Sequence, residues 1–383
     1  MTTSMVVIGL DPHKASNTIA VLEIDETLVT RRRFDNTSEG MTAMLDAVAE
    51  YPLRVWAVEG ANGIGRSIAQ RLVALDEDVV DVPAKLATRV RVYSTGHGNK
   101  TDHSDAVAIA RAAIHSKHLR RVRPDDEHVT LKLWSDRRHE LVAQRTQTVC
   151  RLHRLIRELV PGGTPRALTA QRAEALLNDL EVSDPVAVTR VEIARDHVDD
   201  LKRIDRRLDE VTAKITAAVK ASGSTVIRVY GVGPVNAGII LGEVGDIGRF
   251  PTRNHFASYS GTAPIAVSSG DNNRHRLSRS GNRRLNHAIH IAAITQVHQN
   301  TPGREYYLRK LAAGQSRREA LRCVKRRISD AIWRQLQLER QDDQIQDETW
   351  PRWPSKRGFE PSYRSPDTPR RNGLPKQPRS AEV

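Results

Sequence analysis

Apolar and polar positions follow four successive patterns along the 383-residue chain. Residues 1–124 carry short β-branched runs separated by helical patterns, which predicts an α/β domain. Residues 125–221 carry only long helical patterns, and residues 222–340 mix turns with short helical patterns, which predicts two mostly α-helical regions. Residues 341–383 form a basic, proline-rich tail, for which we expect disorder.

The front region alternates strands and helices in a defined order. "MVVIGL", "NTIAVLEID" and "LVTRRRF" predict three strands, the first two joined by a short polar turn. Helix, strand, helix, strand and helix then follow over "SEGMTAMLDAVAEY", "RVWAVEG", "GRSIAQRLVALDE", "DVVDVP" and "DAVAIARAAI". An antiparallel meander followed by parallel crossovers is the order of a ribonuclease-H-like fold.

Four acidic residues fall where such a fold gathers its ligands. Asp11 and Glu59 end two predicted strands, and Asp102 and Asp105 stand three apart where a helix begins. Ligands collect at the carboxyl ends of strands in open α/β sheets, and residues three apart share one helical face. Four converging carboxylates repel each other unless cations hold them, and Mg²⁺ prefers carboxylate oxygens. The pattern therefore predicts a two-metal site for phosphoryl transfer, with Mg²⁺ or Mn²⁺ as the ion.

Each acid also has a simpler interpretation. Asp11 fits a turn at a strand end, and Glu59 fits the start of the glycine loop in "EGANGIG". Asp102 and Asp105 fit the positive end of a helix dipole, where each would contribute about 0.3–1 kcal/mol. For any one acid the simpler interpretation outweighs metal binding, whereas four acids at four expected places favour the metal site.

Charge separates the front of the chain from the rest. Residues 1–120 hold 14 Lys and Arg against 15 Asp and Glu, and the remaining residues hold 46 against 31. A strongly basic region is typical of proteins that bind nucleic acid, with a generally soluble basic surface as the alternative. The sequence has no membrane-length apolar run, no secretory signal pattern and no cysteine spacing typical of zinc sites. We expect a reduced, cytoplasmic protein without membrane contact.

Two long helices are predicted in the middle region. One spans "VTLKLWSDRRHELVAQRTQTVCRLHRLIRELV" and ends at Pro161, and the second follows Pro185. Apolar residues in the second repeat at spacings of three and four with one stutter, as in a coiled-coil seam. This seam predicts either a helical hairpin within one chain or an interface between copies. We favour the interface, and hence a homo-oligomer, a dimer or a tetramer.

The back region combines a glycine-proline turn with a stretch rich in serine and arginine. The turn in "VIRVYGVGPVNAGII" resembles a helix-hairpin-helix, in which Gly231 and Gly233 expose N–H groups to a phosphate, although a simple helix start also fits. The hydroxyls of Ser268, Ser269, Ser278 and Ser280 fit capping, phosphate contact or nucleophilic attack, and no local rule selects one. The arginines suited to a DNA backbone are Arg274, Arg276, Arg279, Arg283 and Arg284.

Six short motifs are distinctive as a set. The front contains "GLDPHK", "VEGANGIGR" and "KTDHSDA", and the back contains "YGVGPVNAGIILGEVGDIGRF", "SGTAPIAVSSG" and "SRSGNRRLNHAIHIAA". With these motifs the chain resembles the DEDD transposases of bacterial insertion sequences over residues 5–335. The resemblance implies a RuvC-like domain, a coiled coil and a serine-bearing transposase domain.

The resemblance also implies an activity and its partners. It makes Asp11, Glu59, Asp102 and Asp105 the catalytic, metal-binding tetrad of a recombinase that cuts and joins double-stranded DNA at element ends and targets. Members of the family are similar to recombinases guided by a structured RNA, which implies an RNA partner and a place in the bacterial cytoplasm with the nucleoid. The alternatives are a Holliday-junction-type metal-dependent endonuclease and a non-catalytic nucleic-acid-binding protein.

One serine is implied as the nucleophile by the same resemblance. The family's serine precedes a glycine and lies eight residues after the glycine of a "GxxP" turn. Gly261 begins that turn here, so the implied nucleophile is Ser269 rather than its neighbour Ser268. Asn286 departs from the family pattern, because the resemblance leads us to expect a basic residue at that position.

Overall fold

A mixed β-sheet of six strands forms the front of the molecule. The computed structural model describes residues 5–95, 102–116, 119–164, 167–269, 272–276 and 281–346. The strands are β1 Val6–Pro12, β2 Ser16–Glu23, β3 Leu28–Asp35, β4 Arg54–Glu59, β5 Val79–Val82 and β6 Arg120–Arg121. Their order is β3-β2-β1-β4-β5-β6, with β1, β2 and β3 antiparallel and β1, β4 and β5 parallel. The predicted ribonuclease-H-like order is confirmed, and the short antiparallel β6 adds an edge strand to it.

Four helices cover the two faces of this sheet. They are α1 Ser38–Asp46, α2 Arg66–Val73, α3 Ala84–Thr95 and α4 Asp102–His115. Ile8 and Leu10 of β1 pack in the core with α1 and α2, whereas Val7 packs on the opposite face with α3 and α4. Because both faces are covered, β1 is apolar up to Asp11. The sequence pattern does not predict α3, whose β-branched residues weaken its helical signal.

Two long helices form an antiparallel hairpin in the middle of the chain. They are α5 Glu127–Leu159 and α7 Pro185–Ala221, both as predicted, and the short α6 Ala170–Asn178 lies between them. Arg190 of α7 pairs with Glu158 of α5 at 2.7 Å, and Arg145 of α5 pairs with Asp205 of α7 at 2.6 Å. The first pair joins the start of α7 to the end of α5, and the second joins the middle parts of the two helices, as the antiparallel direction requires.

The apolar seam of α7 is covered within the chain. Val191, Val198, Leu201 and Ile215 are all at most 6% exposed. Val198 and Leu201 lie in a core cluster with residues of α5 and α6, and Ile215 lies in the core of the back region. The structure therefore has the intramolecular hairpin, and oligomerisation through this seam stays a prediction.

The back region contains five helices and a β-hairpin. Its elements are α8 Pro234–Val244, α9 Arg253–Tyr259, β7 Ile265–Ser269, β8 Asn272–Arg276, α10 Arg283–His298, α11 Pro302–Ala312 and α12 Arg317–Gln346. Helix α8 packs against both α5 and α7. Leu131 of α5 and Ile215 of α7 share one core with Ile240, Ile289 and Ile328 of the back helices. The middle and back regions are thus joined by a continuous core.

The end of the chain and its relation to membranes complete the fold. α12 continues to Gln346, past the predicted domain end at residue 340, and the rest of the predicted tail lies outside the described residues. Among the described helices, none has the length and apolar character needed to span a membrane.

Candidate active site

Asp11 and Glu59 lie side by side at one edge of the sheet. The parallel register of β1 and β4 pairs Leu10 with Val58, so the next residues, Asp11 and Glu59, lie beside each other. Neighbouring strands in a sheet are about 4.8 Å apart. Val7 of β1 and Ala57 of β4 pack with α4, and side chains alternate along a strand, so the odd-numbered Asp11 and Glu59 continue the same face. Asp11 is 5% exposed and Glu59 is half-buried. Glu59 is the last residue of β4, and Asp11 is followed in β1 only by Pro12, so the predicted strand-end positions are confirmed.

A glycine lets α4, the helix that carries Asp105, pack closely against β1. A Cβ on Gly9 would lie only 2.0 Å from the carbonyl oxygen of Ala106 and 2.7 Å from the amide nitrogen of Ala110. Glycine therefore lets α4 contact β1 backbone to backbone. Asp105 precedes Ala106 on α4, and Asp11 lies two residues beyond Gly9 on β1. Asp105 is 8% exposed, and this burial against the sheet favours a site over a solvent-facing residue that only stabilises the helix dipole.

The loop after β4 fixes the position of Glu59. Gly60 adopts a left-handed φ of 59°, which favours glycine. The Asp81 carboxylate accepts hydrogen bonds from the Ala61 N–H at 2.8 Å and from Asn62 Nδ2 at 2.7 Å. The geometry of this turn thus accounts for Gly60 and Asn62 in the motif "VEGANGIGR", but it does not require an acidic residue at position 59.

The ligand chemistry of these acids fits a hard divalent cation. We call Asp11, Glu59, Asp102 and Asp105 the acidic edge; carboxylate oxygens are the donors that Mg²⁺ prefers. Asp102 is the first residue of α4, and its side chain lies outside the described residues. Among the side chains that are described, no three His, Cys, Asp or Glu groups stand close enough to hold an ion. The described acids therefore share a face and a donor type without forming a closed coordination shell.

His13 is a neighbour of the acidic edge that sequence reasoning missed. Its Nε2 lies 3.1 Å from Oδ2 of Asp11, and its side chain is 42% exposed. The residue stands within the motif "GLDPHK", which was the available signal. An exposed imidazole beside a buried carboxylate can orient that carboxylate or exchange a proton with it.

Ser269 lies at the tip of a β-hairpin. β7 pairs antiparallel with β8, with Ser269 opposite Asn272 and Ser268 opposite Asn273. Ser269 is the last residue of β7, so it is the serine nearer the tip. The side chains of residues 266–280 lie outside the described part of the chain. The choice of Ser269 over Ser268 therefore stays a prediction from the resemblance.

Most of the predicted arginines lie on or next to this hairpin. Arg274 and Arg276 lie on β8, and Arg279 lies outside the described residues. Arg283 is exposed at the first residue of α10. Their contact with a DNA backbone stays a prediction.

Arg284 lies in an ion-pair network between three helices. Its guanidinium contacts Asp136 of α5 and lies 3.7 Å from Glu243 of α8. Lys132 Nζ donates to one oxygen of Glu243 at 2.8 Å, and Asn282 Nδ2 donates to the other at 2.6 Å. The network ties the helical middle to the start of α10. Arg284 thus has a structural role that sequence reasoning missed.

The glycine-proline turn has two different glycines. Gly231 adopts φ 86°, and a Cβ there would lie 2.7 Å from the carbonyl oxygen of Ala292, so packing on α10 requires it. Gly233 caps α8 ahead of Pro234, and a Cβ there would meet nothing within 4 Å. The element before the turn is a single 3-10 turn, Thr225–Arg228, rather than the α-helix of a helix-hairpin-helix. Of these two glycines, only Gly233 leaves the N-terminus of a helix accessible to an anion.

Comparison with known proteins matches two stretches of the chain to transposase families. The family DEDD_Tnp_IS110, described as a transposase, matches residues 8–161. The family described as Transposase IS116/IS110/IS902 family matches residues 224–308. The first range contains the acidic edge, and the second contains Ser269 and the predicted arginines.

Individual relatives agree with these matches. The uncharacterized 44.8 kDa protein of insertion element IS116 from Streptomyces clavuligerus is 27% identical over 381 residues, which cover 87% of this chain and 95% of that protein. A probable family 20 transposase from Pseudomonas aeruginosa is 26% identical over 279 residues, covering 70% of this chain and 76% of that protein.

A solved structure, T. thermophilus RuvC in complex with Holliday junction substrate, aligns with 31% of this chain and 99% of its own at 17% identity and a TM-score of 0.25. The ribonuclease-H-like assignment follows instead from the strand order of this chain. The two family matches together span more than half of the sequence and include every predicted catalytic residue. The chain therefore belongs to the IS116/IS110/IS902 family of insertion-element transposases.

Proposed function

We propose that this transposase cuts and joins DNA strands by phosphoryl transfer, using the acidic edge together with Ser269. The observation that carries the proposal is the shared position of three acids. Asp11 and Glu59 lie at the ends of neighbouring strands, Asp105 lies on the helix that packs against β1, and Asp11 and Asp105 are each at least nine-tenths buried. Buried carboxylates at one edge repel each other, so a cation that binds them stabilises the arrangement.

The acidic edge is the part of the chain that would hold metal ions. Nucleases of the DEDD type generally depend on divalent metals. Mg²⁺ or Mn²⁺ bound there would stabilise the negative charge that develops on a phosphate during strand transfer. Asp11 is held from β1 and Asp105 from α4, so a rigid sheet-helix contact positions the ligands.

Ser269 would carry the strand between cutting and joining. Its hydroxyl oxygen forms a bond to phosphorus as the bond from phosphorus to the leaving 3′ or 5′ oxygen breaks. The serine proton passes to a base, and the leaving oxygen takes up a proton to become a hydroxyl. A hydroxyl from the new partner strand then attacks the same phosphorus and releases the serine, so the number of phosphodiester bonds is conserved.

The acidic edge and Ser269 lie in regions with separate hydrophobic cores. The acidic edge belongs to the front sheet and its helices, and the serine hairpin lies between α9 and α10 of the back region. A site that uses both groups is therefore completed by closure of the two regions or by a second copy of the chain. This is the basis for proposing a homo-oligomer.

Double-stranded DNA and a structured guide RNA are the proposed partners. The 46 Lys and Arg against 31 Asp and Glu beyond residue 120 support binding to phosphate backbones. The described residues offer a phosphate-binding type of helix start at Gly233. We place the protein in the bacterial cytoplasm with the nucleoid. Purification followed by sequencing of bound RNA tests the guide, because bulk host RNA alone would contradict it.

The experiment for the chemistry compares three variants on DNA that carries element ends. Ser269→Ala and Asp11→Asn should each abolish strand joining, whereas Ser268→Ala should retain it. A Ser269→Ala protein that still cuts DNA but does not join it would favour a metal-dependent endonuclease that uses water. Full function of Asp11→Asn would favour a non-catalytic nucleic-acid-binding protein.

A further inference from the structure

The serine hairpin is held at a narrow neck. We define the neck as Ser260–Gly261 on one side and Gly281–Asn282 on the other. A Cβ on Gly281 would lie 2.5 Å from the backbone nitrogen and Cα of Gly261, so the two chain segments touch there. The Asn282 N–H donates to the Tyr259 carbonyl at 2.7 Å and closes the neck. The hairpin that carries Ser269 begins and ends at this contact.

Asn286 of α10 holds one side of the neck. Its Nδ2 donates to the carbonyl oxygens of Ser260 at 2.8 Å and Gly261 at 3.1 Å. Its Oδ1 accepts a hydrogen bond from Lys325 Nζ of α12 at 2.6 Å. An ammonium group can only donate, so Lys325 fixes the orientation of the amide and directs its N–H groups at the neck. Lys325 and Asn286 thus act on the neck in series.

The buried position of Lys325 lowers the free energy of unfolding of the protein. The residue is 8% exposed, and within the described part of the chain no carboxylate lies within ion-pairing distance of its ammonium. Burial lowers its pKa from the ordinary value, which reports the same cost. Burying an ammonium group away from water costs free energy of folding unless a charge partner compensates it. Global stability therefore does not explain this lysine.

We propose that Lys325 is a positioning residue for the serine hairpin and acts through Asn286. The inference rests on the proposed role of Ser269 in strand joining. The Lys325 ammonium and the Asn286 amide form a relay from the core of α12 to the neck. Without the ammonium, only the two N–H···O=C bonds to Ser260 and Gly261 hold the Asn286 amide in place, and its oxygen is left without this donor. The amide then rotates more often, so the neck is held less firmly and the hairpin that carries Ser269 is positioned less well.

The first test replaces Lys325 with methionine, which matches its length without the charge. Lys325→Met should leave the midpoint of thermal unfolding close to the wild-type value, since removal of a buried charge offsets loss of its hydrogen bond to Asn286. Its strand-joining rate should fall about a hundredfold, as expected for a displaced reacting group. Arg318→Met is the matched control, because Arg318 is exposed on the same helix and loses the same charge. Joining at the wild-type rate, or a fall in thermal midpoint that accounts for the loss, would overturn the proposal.

The second test asks whether the two residues act in series. Asn286→Ala should slow joining to a similar extent, and adding Lys325→Met to it should cause little further loss. Effects that multiply would instead make Lys325 an independent phosphate contact and would contradict the relay. Lys325→Met should also leave the affinity of the free protein for DNA unchanged, since the ammonium of Lys325 is buried.

A third measurement separates this inference from the role of Ser269. In the free protein, the N–H groups of Thr262 and Ala263 donate to the Ala257 carbonyl at 2.8 and 3.0 Å, next to the neck. Hydrogen exchange at these two amides and at Asn282 should accelerate in Lys325→Met and Asn286→Ala but not in Arg318→Met. Unchanged exchange overturns the relay whatever Ser269 does. Faster exchange with an active Ser269→Ala protein supports the relay and rejects only the serine chemistry.

Discussion

The acidic edge and the serine hairpin are positioned by different kinds of contact. Asp11 and Glu59 take their places from the register of two buried parallel strands, and Asp105 takes its place from the contact of α4 with Gly9. The hairpin of Ser269 takes its place from side-chain hydrogen bonds at its neck. The backbone therefore fixes one half of the proposed site, and a polar side-chain network fixes the other.

This difference determines how each half should respond to mutation. Sheet register changes only if the front core is disrupted, so the acidic edge should tolerate most substitutions around it. A hydrogen-bond network loses its function when one member is removed, because the remaining groups are left unsatisfied. The hairpin should therefore be sensitive to single polar substitutions that leave the core intact.

The largest effect is expected at Asp105. Asp105→Glu keeps the charge but moves the carboxylate by one methylene, about 1.5 Å from standard bond lengths. Mg²⁺ accepts little departure from octahedral geometry, so joining in Mg²⁺ should be lost while the protein folds normally, with partial rescue by Mn²⁺. Joining rates in the two metals, with thermal unfolding as the folding check, measure this. Full activity in Mg²⁺ would return Asp105 to a helix-dipole role.

The next largest effect is expected at Gly9. Gly9→Ala places a methyl group 2.0 Å from the Ala106 carbonyl oxygen, so α4 must move away from β1. We expect a loss of about 3 kcal/mol in the free energy of unfolding, the upper end for overpacking. Gly63→Ala is the stability control, because its Cβ would make an ordinary 3.6 Å contact. Equal stability of the two variants in urea would mean that α4 does not depend on Gly9.

The same difference decides how much the sequence could predict. Strand order and the ends of β1 and β4 follow from apolar periodicity, so Asp11 and Glu59 could be located from it. The close approach at Gly9 has no periodic signal, and Asp105 was found from its spacing to Asp102 instead. Asn286 and Lys325 are 39 residues apart and meet only after α10 and α12 pack, so no local pattern predicts their pairing. The assignment of Ser269 needed the family resemblance.

A smaller effect is expected at Gly281. A methyl group there would lie 2.5 Å from Gly261, so Gly281→Ala should widen the neck without disturbing the buried core of the back region. Joining should fall about tenfold, less than for loss of the Asn286 amide, because the hydrogen bonds can partly adapt. Joining rate and hydrogen exchange at Asn282 report the change. A protein with wild-type values for both would show that the glycine contact does not constrain the hairpin.

The smallest effect is a change in pH dependence at His290. Burial lowers the pKa of His290 from its usual 6.5, and the charges of Lys325 and His287 lower it further. The unfolded chain binds this proton more readily than the folded chain, so the stability contribution is present above pH 6.5 and is lost as the pH falls below it. His290→Gln should flatten that slope in pH-dependent urea unfolding, and Lys325→Met should raise the pKa of His290 measured by NMR. An unchanged pKa would place Lys325 too far away to act on α10.

The most direct test of the whole account is a search for a covalent protein–DNA adduct. Wild-type protein is incubated with metal ion, its bound RNA and labelled double-stranded DNA carrying element ends, then denatured and analysed by gel electrophoresis and peptide mapping. The account predicts an adduct at Ser269 that is retained in Ser268→Ala and absent in Ser269→Ala and Asp11→Asn. Strand joining by Ser269→Ala, or an adduct that forms without the acidic edge, would contradict it.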